Sequence, residues 1–284
     1  MKEIIQSRQN PKVRFVCGLT EKKKRRESGL FRLDGMKLFE EAILGDLSLH
    51  SVYVREPASE SVNRLLSSAL RKGRIGEEQV FFVSEAVFEK LSEEKSPEGV
   101  LAVAYMPTSL HQRLAASEAA DRLAKEPRLL LVEAIRDPGN LGTVIRSAAA
   151  LGIDTLVLSG TSADLYHPRT VRSAMGALFR LPTVTVEDEE FSTLISRIRE
   201  SGRRVFAAAL TDEAMTLGSF SMRRGDCFVI GNEGHGLTEK VIDACDSAVV
   251  IPMRPGNESL NAAAAAAICI WETVRIHQIG GDEA

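Results

Sequence analysis

Between residues 129 and 251 the chain repeats one pattern: short segments, nearly all continuously apolar, separated by stretches with helical spacing of apolar residues. The apolar segments fall at 129–132, 155–158, 183–186, 205–210, 227–230 and 248–251. A strand with one face in water alternates apolar and polar residues, whereas a strand covered on both faces is apolar throughout. The pattern therefore predicts an α/β fold built on a parallel sheet with helices on both sides. Those helices are expected over 141–151, 169–178, 190–201, 239–244 and 258–276.

A smaller α/β block precedes it, with strands expected at 30–33, 49–54, 80–83 and 100–105 and helices at 36–44, 59–71 and 85–91. A length of 284 residues gives room for two modest cores. We expect a small α/β sandwich domain at 1–106, a polar linker at 107–127, the larger α/β domain at 128–277 and a frayed tail at 278–284.

The formal net charge of −3 argues against bulk affinity for a polyanion. It hides an uneven distribution, because Lys22, Lys23, Lys24, Arg25 and Arg26 stand together near the amino terminus. Such a run is either a solvated helix face or a set of contacts to an RNA backbone. The four cysteines show neither CxxC pairing nor zinc-ligand spacing, which fits free thiols in a reducing cytoplasm. No stretch reads as a signal peptide or a membrane span.

In open parallel sheets, ligands gather beyond the carboxyl ends of the strands. Three loops at such positions are chemically unusual: 137–142 (DPGNLG), 231–237 (GNEGHGL) and 251–261 (IPMRPGNESLN). A glycine loop after a strand ordinarily cradles a phosphate, but Glu233 would repel one. Glu233 is either a plain loop carboxylate or the partner of a cation, for which Arg146 is the obvious candidate. A ligand without phosphates and rich in N–H donors also fits, and S-adenosylmethionine has that chemistry. Arg146 interrupts an otherwise uncharged helix, so it either snorkels to water or meets an anion. Asn140, Asn257, Ser259 and Asn261 are candidate helix caps as well as candidate site residues. None of the five histidines, His235 included, makes a convincing general base, and no GxSxG elbow or dinucleotide fingerprint is present.

Taken together, these loops resemble the signature motifs of the SpoU (TrmH) family of RNA ribose methyltransferases, within the SPOUT superfamily. The resemblance rests on Asn140 through Arg146, on Ile230 through Leu237, and on Ile251 to Met253 with Glu258 to Asn261 downstream. It covers roughly residues 128–276, and the first block resembles the family's L30e-like RNA substrate-binding domain, with Asp34 where the family usually carries glutamate. The resemblance implies a carboxyl-terminal trefoil knot, S-adenosylmethionine as cofactor, no metal, and a homodimer formed through the carboxyl-terminal domain. It implies Asn140, Arg146, Glu233, Ser259 and Asn261 as catalytic residues. Leu210, Thr211, Gly231, Asn232, Gly234, Ile251, Met253 and Leu260 would line the cofactor pocket, and Lys22, Lys23, Lys24, Arg25 and Arg26 would contact RNA.

The implied reaction is in-line attack of a ribose 2′-OH on a sulfonium methyl group, where alignment of the reactants supplies much of the rate. A guanidinium stays protonated in proteins, so clamping the neighbouring RNA phosphate and stabilising the developing alkoxide is a physical role for Arg146 beside the family's arginine-as-base reading. Ser259 and Asn261 would position the ribose, and Glu233 would hold Arg146 or the substrate. Large-subunit ribosomal RNA is the expected substrate; transfer RNA methylation and a non-catalytic ribosome-assembly role are the alternatives.

Overall fold

The computed structural model describes residues 3–254 and 259–279, with side chains through Ile276. The chain divides into two compact units, one made of 1–108 with 164–179 and the other of 109–163 with 180–284.

The first unit carries β1 (Ile4–Ile5), α1 (Pro11–Gly18), α2 (Lys22–Ser28), β2 (Leu30–Asp34), α3 (Met36–Leu44), β3 (Leu49–Glu56), α4 (Glu60–Arg71), β4 (Val80–Ser84), α5 (Glu85–Leu91) and β5 (Val100–Tyr105). Its sheet runs β1-β4-β3-β5-β2, and β5 lies antiparallel to both neighbours. Local chemistry sets the helix starts: the Asn10 side chain accepts from the Lys12 amide ahead of Pro11, and Ser59 accepts from the Val62 amide. Val13, Val16 and Leu19 of the α1 region pack with Val87, Phe88 and Leu91 over Tyr53, Leu101 and Val103.

Two expectations are corrected here. The five basic residues of α2 are not equivalent, because Arg25 is buried, at 1% exposure. Its guanidinium donates to the Leu19 and Thr20 carbonyls at 2.9 and 2.7 Å and to the Asp164 carboxylate at 2.6 Å, so it is not available to RNA. One residue in a run of five must fall on the inward face of a helix, and here it is an arginine that finds a carboxylate. The segment around 169–178, expected to cover the parallel sheet, instead belongs to the first unit: the Phe31 ring packs at a tilt against Tyr166 and Phe179, with centroids 4.9 and 6.2 Å away. Helical periodicity shows that a face is buried but not which sheet it covers.

The second unit continues with β6 (His111–Arg113), α6 (Ala116–Leu123), β7 (Leu129–Val132), α7 (Pro138–Leu151) and β8 (Thr155–Ser159). After α8 (Pro168–Ala174), which packs on β2, come β9 (Thr183–Val186), α9 (Asp188–Glu200), β10 (Val205–Ala208), β11 (Met215–Thr216), β12 (Cys227–Ile230), α10 (Glu239–Ala244), β13 (Ser247–Val250) and α11 (Ala262–Ile279). The sheet order is β11-β13-β10-β12-β7-β8-β9-β6, and every strand pairing in it is parallel among the described residues, as the apolar runs predict.

The stretch expected as a linker at 107–127 supplies β6 and α6 instead. Strand β6 is an edge strand held by backbone pairing to β9, which needs no apolar sequence, and α6 buries only Ala116, Ala119 and Leu123. Helix α11 begins at Ala262 rather than 258, because the Asn261 side chain accepts from the Ala263 and Ala264 amides and caps it. Asn257 and the tail beyond 279 lie outside the described residues. Among the described residues no helix is long and apolar enough to cross a membrane.

Candidate active site

Strands β13, β10, β12 and β7 are consecutive neighbours and parallel, so the loops that follow them open along one edge of the sheet. The loop after β12 closes on itself: Asn232 and Gly236 exchange backbone hydrogen bonds at 2.9 and 3.0 Å. A Cβ on Gly231 would lie 2.4 Å from the Gly236 carbonyl carbon, so no larger residue fits where the two backbones meet. The Asn232 Oδ1 accepts from the Gly234 and His235 amides, and its Nδ2 donates to the Ala134 carbonyl at 2.8 Å. Expected as a cofactor contact, the Asn232 side chain is thus committed to shaping the loop and tying it to the end of β7.

A second tie runs the other way. Glu133, directly after β7 and 8% exposed, accepts from the amide and hydroxyl of Thr238 at 2.8 and 2.7 Å. Between these ties Ala134 adopts a left-handed φ of 53°, with its amide held by the Ser159 hydroxyl. Asp137 then caps α7 by accepting from the Asn140 amide at 2.8 Å. Glu133 and Asp137 were not singled out from the sequence. A carboxylate ending a wholly apolar strand was the available signal for Glu133, since such a group needs partners to stay buried.

This scaffold presents three polar side chains to one another. The Asn140 Nδ2 donates to Glu233 Oε1 at 2.6 Å, and the Asn261 Nδ2 donates to Asn140 Oδ1 at 3.1 Å. Asn140 and Asn261 are therefore caps or cap neighbours and site residues at once. Glu233 and Asn261 are exposed and Asn140 half-buried, which leaves lone pairs and N–H groups turned to solvent. Glu233 meets Asn140 rather than Arg146, so the sequence-based pairing of that carboxylate with the arginine is corrected. Arg146 stands about 9 Å farther along the axis of α7, exposed and without a hydrogen-bond or ion-pair partner among the described residues. Ser259 is exposed beside Asn261, while Glu258 of the same motif lies outside the described residues.

The remaining pocket candidates share a property unusual for loops. Leu210, after β10, is 80% exposed, and Met253 and Leu260, after β13, are 37% and 38% exposed. Large apolar side chains held in water at the ends of adjacent strands are a surface made for an organic ligand. Thr211 and Ile251 are half-buried beside them, and Gly234 is exposed at the loop tip. The thiols take no part: burial pushes Cys227, Cys245 and Cys269 up to about 12.

A sequence model described as the SpoU rRNA Methylase family matches residues 127–271, and one described as an MRM3-like substrate binding domain matches 10–102. The chain belongs to the SpoU rRNA methylase family. It is 30% identical over 267 residues to the 23S rRNA (guanosine(2553)-2′-O)-methyltransferase of Bacillus subtilis, covering 94% of this chain and 97% of that one. Its fold is similar to the AdoMet-bound rRNA methyltransferase from Sinorhizobium meliloti, with TM-score 0.79, 26% identity and coverage of 96% and 98%. The SpoU methyltransferase AviRb from Streptomyces viridochromogenes, in complex with AdoMet, gives TM-score 0.77, 27% identity and coverage of 96% and 99%. In this SpoU protein the matched family region contains all three members of the Asn140–Glu233–Asn261 cluster.

Proposed function

We propose that this SpoU protein transfers a methyl group from S-adenosylmethionine to a ribose 2′-OH of large-subunit ribosomal RNA. The observation that carries the reading is the hydrogen-bonded Asn140–Glu233–Asn261 cluster beside exposed apolar residues at one sheet edge. The cofactor fits that edge: Leu210, Met253 and Leu260 offer apolar contact, and the backbone of 231–236 offers polar groups at short range. When bound, S-adenosylmethionine supplies an electrophilic methyl group on a sulfonium.

The chain's own groups do the rest. Asn140 and Asn261, fixed by their caps and by each other, hold ribose hydroxyls in line, with Ser259 beside them. Glu233 orients Asn140 and gives the site a negative charge suited to a cationic ligand. Arg146, which has no intramolecular partner among the described residues, grips an RNA phosphate and stabilises charge developing on the attacking oxygen. Lys22, Lys23, Lys24 and Arg26, exposed on α2, add backbone contacts.

The reading extends to a homodimer, supported by Ile268 and Trp271, which α11 leaves 37% and 47% exposed one turn apart. It also extends to a carboxyl-terminal knot: β13 pairs beside β10, yet the chain after it returns across β12 to pack α11 on α7. It includes a small substrate-recruiting domain ahead of the methyltransferase domain, and a cytoplasmic place of work in keeping with four free cysteines. Tritiated S-adenosylmethionine offered with ribosomal or transfer RNA from cells lacking the protein tests the reading. Label in alkali-resistant dinucleotides of the large ribosomal RNA is expected, lost in Arg146→Ala with cofactor affinity kept. Label confined to transfer RNA would move the substrate, and absence of cofactor binding would refute the enzyme.

A further inference from the structure

The basic helix α2 explains affinity for RNA backbone but nothing in it can read or hold a base. A different face of the first unit can. On α1 and at the ends of β3 and β5, Phe15, His50 and Tyr105 form a row, with Phe15 and His50 ring centroids 6.3 Å apart and His50 and Tyr105 5.8 Å apart. Phe15 is 42% exposed and Tyr105 48%. Beneath Phe15 and His50 opens a cavity of about 300 Å³ lined by Lys12, Ser51, Tyr53, Glu78 and Phe81 as well. Its inner wall is aromatic, since Tyr53 and Phe81 lie 5.4 Å apart and Tyr53 is 2% exposed.

Two features show that this row is built rather than a chance exposure of apolar groups. The His50 Nδ1 is hydrogen-bonded to the Ser51 hydroxyl at 3.0 Å, and the backbone carbonyl of His50 accepts from Gln79 Nε2 at 3.0 Å, so the ring is held at a set angle. The Lys12 ammonium is placed 4.3 Å from the centre of the Phe81 ring, a cation at the mouth of an aromatic pocket. The side chains of Phe15, Tyr105 and Lys12 have no hydrogen-bond or ion-pair partner among the described residues.

Charge decides the occupant. Residues 11–26 hold seven basic side chains and one acidic one, Glu21, and all the basic ones but Arg25 are exposed. Glu78 is the one carboxylate lining the cavity. Exposed aromatic rings flanked by cations fit a nucleic-acid strand, whose bases stack on ring faces while its phosphates meet lysine and arginine. We propose that Phe15, His50 and Tyr105 are a stacking platform for unpaired bases of the RNA substrate, with Lys12 and Arg14 on the adjoining phosphates. This rests on the RNA methyltransferase reading and adds the site by which the first unit holds a single-stranded segment. It makes the two basic segments different in kind: α2 is a sequence-blind contact, and the α1 face requires bases out of the helix.

The test measures binding of the full-length protein to a single-stranded RNA of about ten nucleotides carrying 2-aminopurine, to the matching duplex, and to large-subunit ribosomal RNA. Phe15→Leu and Tyr105→Leu keep apolar bulk and remove the stacking face, while Phe15→Tyr restores it. The leucine variants are expected to weaken single-strand binding by about tenfold each and to abolish the 2-aminopurine quench. Duplex binding, thermal melting and S-adenosylmethionine affinity should stay unchanged, with Phe15→Tyr near wild type. Leucine variants that bind and quench as wild type would overturn the platform alone, leaving the methyltransferase reading intact. Unchanged binding to naked RNA with loss of methylation only on ribosomal particles would assign the face to a protein contact and overturn it equally. A wild-type protein that binds none of the three RNAs would overturn the platform, and one that also fails to bind S-adenosylmethionine would overturn both readings.

Discussion

Two polar links in this protein join residues far apart in sequence, and they behave as opposites. Arg25 and Asp164, 139 residues apart, meet in the first unit with the arginine 1% exposed and also held by two backbone carbonyls. Asn140 meets Glu233 and Asn261, 93 and 121 residues away, at a strand edge where the carboxylate and Asn261 stay exposed. A buried ion pair must be well satisfied, because an unpartnered charge out of water is costly. A site cluster must keep capacity in reserve, because its last partners are the reactants. Both links are equally long-range, so it is solvent exposure that separates structural polarity from functional polarity here.

That contrast can be broken by four experiments. Arg25→Ala removes one partner of the buried pair and should lower stability by about 3–5 kcal/mol in urea unfolding; a loss under about 1 kcal/mol would mean that Asp164 rehydrates freely. Glu233→Ala should do the reverse, cutting kcat/KM by about 100-fold while unfolding stays within about 0.5 kcal/mol of wild type. A comparable stability loss in both variants would erase the distinction. Glu133→Ala tests a residue between the two classes, buried yet next to the site. It should cost about 1–2 kcal/mol by leaving the Thr238 amide and hydroxyl without their carboxylate acceptor and reduce activity through a loosened 231–237 loop.

The smallest effect concerns His167, the cap of α8, whose Nδ1 accepts from the Arg169 amide. Burial, then the nearby Arg25 charge, holds its imidazole below the ordinary 6.5. The unfolded chain therefore takes up a proton that the folded one resists, and stability falls as pH drops through about 6.5. His167→Asn, which keeps a capping acceptor, should flatten that part of the urea-midpoint profile. An unchanged slope would place the dependence on other groups.

Both units were legible in the sequence: α3, α5 and β5 of the first and β7, β9, β12 and α10 of the second lie at the expected bounds. Strands buried on both faces are apolar throughout, so β7 and β12 can be read directly from composition, with the boundaries the structure shows. Sequence also places Asn140, Glu233 and Asn261 in loops after strands, because glycine, proline and cap residues mark those turns. Their partners were not readable: Glu233 looks equally suited to Arg146, and only the bridge between Asn232 and Gly236 directs it to Asn140. Elements held by backbone pairing alone, such as β1, β6 and β11, carry no side-chain signal at all.

Sequence by itself determined the parallel sheet, the edge at which chemistry gathers, and the residue types available there, because periodicity and turn chemistry are local properties of the chain. Tertiary structure alone decided which of five consecutive basic residues is a buried structural arginine, which unit 164–179 joins, and which amide meets Glu233. It alone brought Phe15, His50 and Tyr105, from one helix and two strands, into a single row. Those outcomes depend on how separate elements pack, and packing is a relation between distant residues that no local pattern encodes.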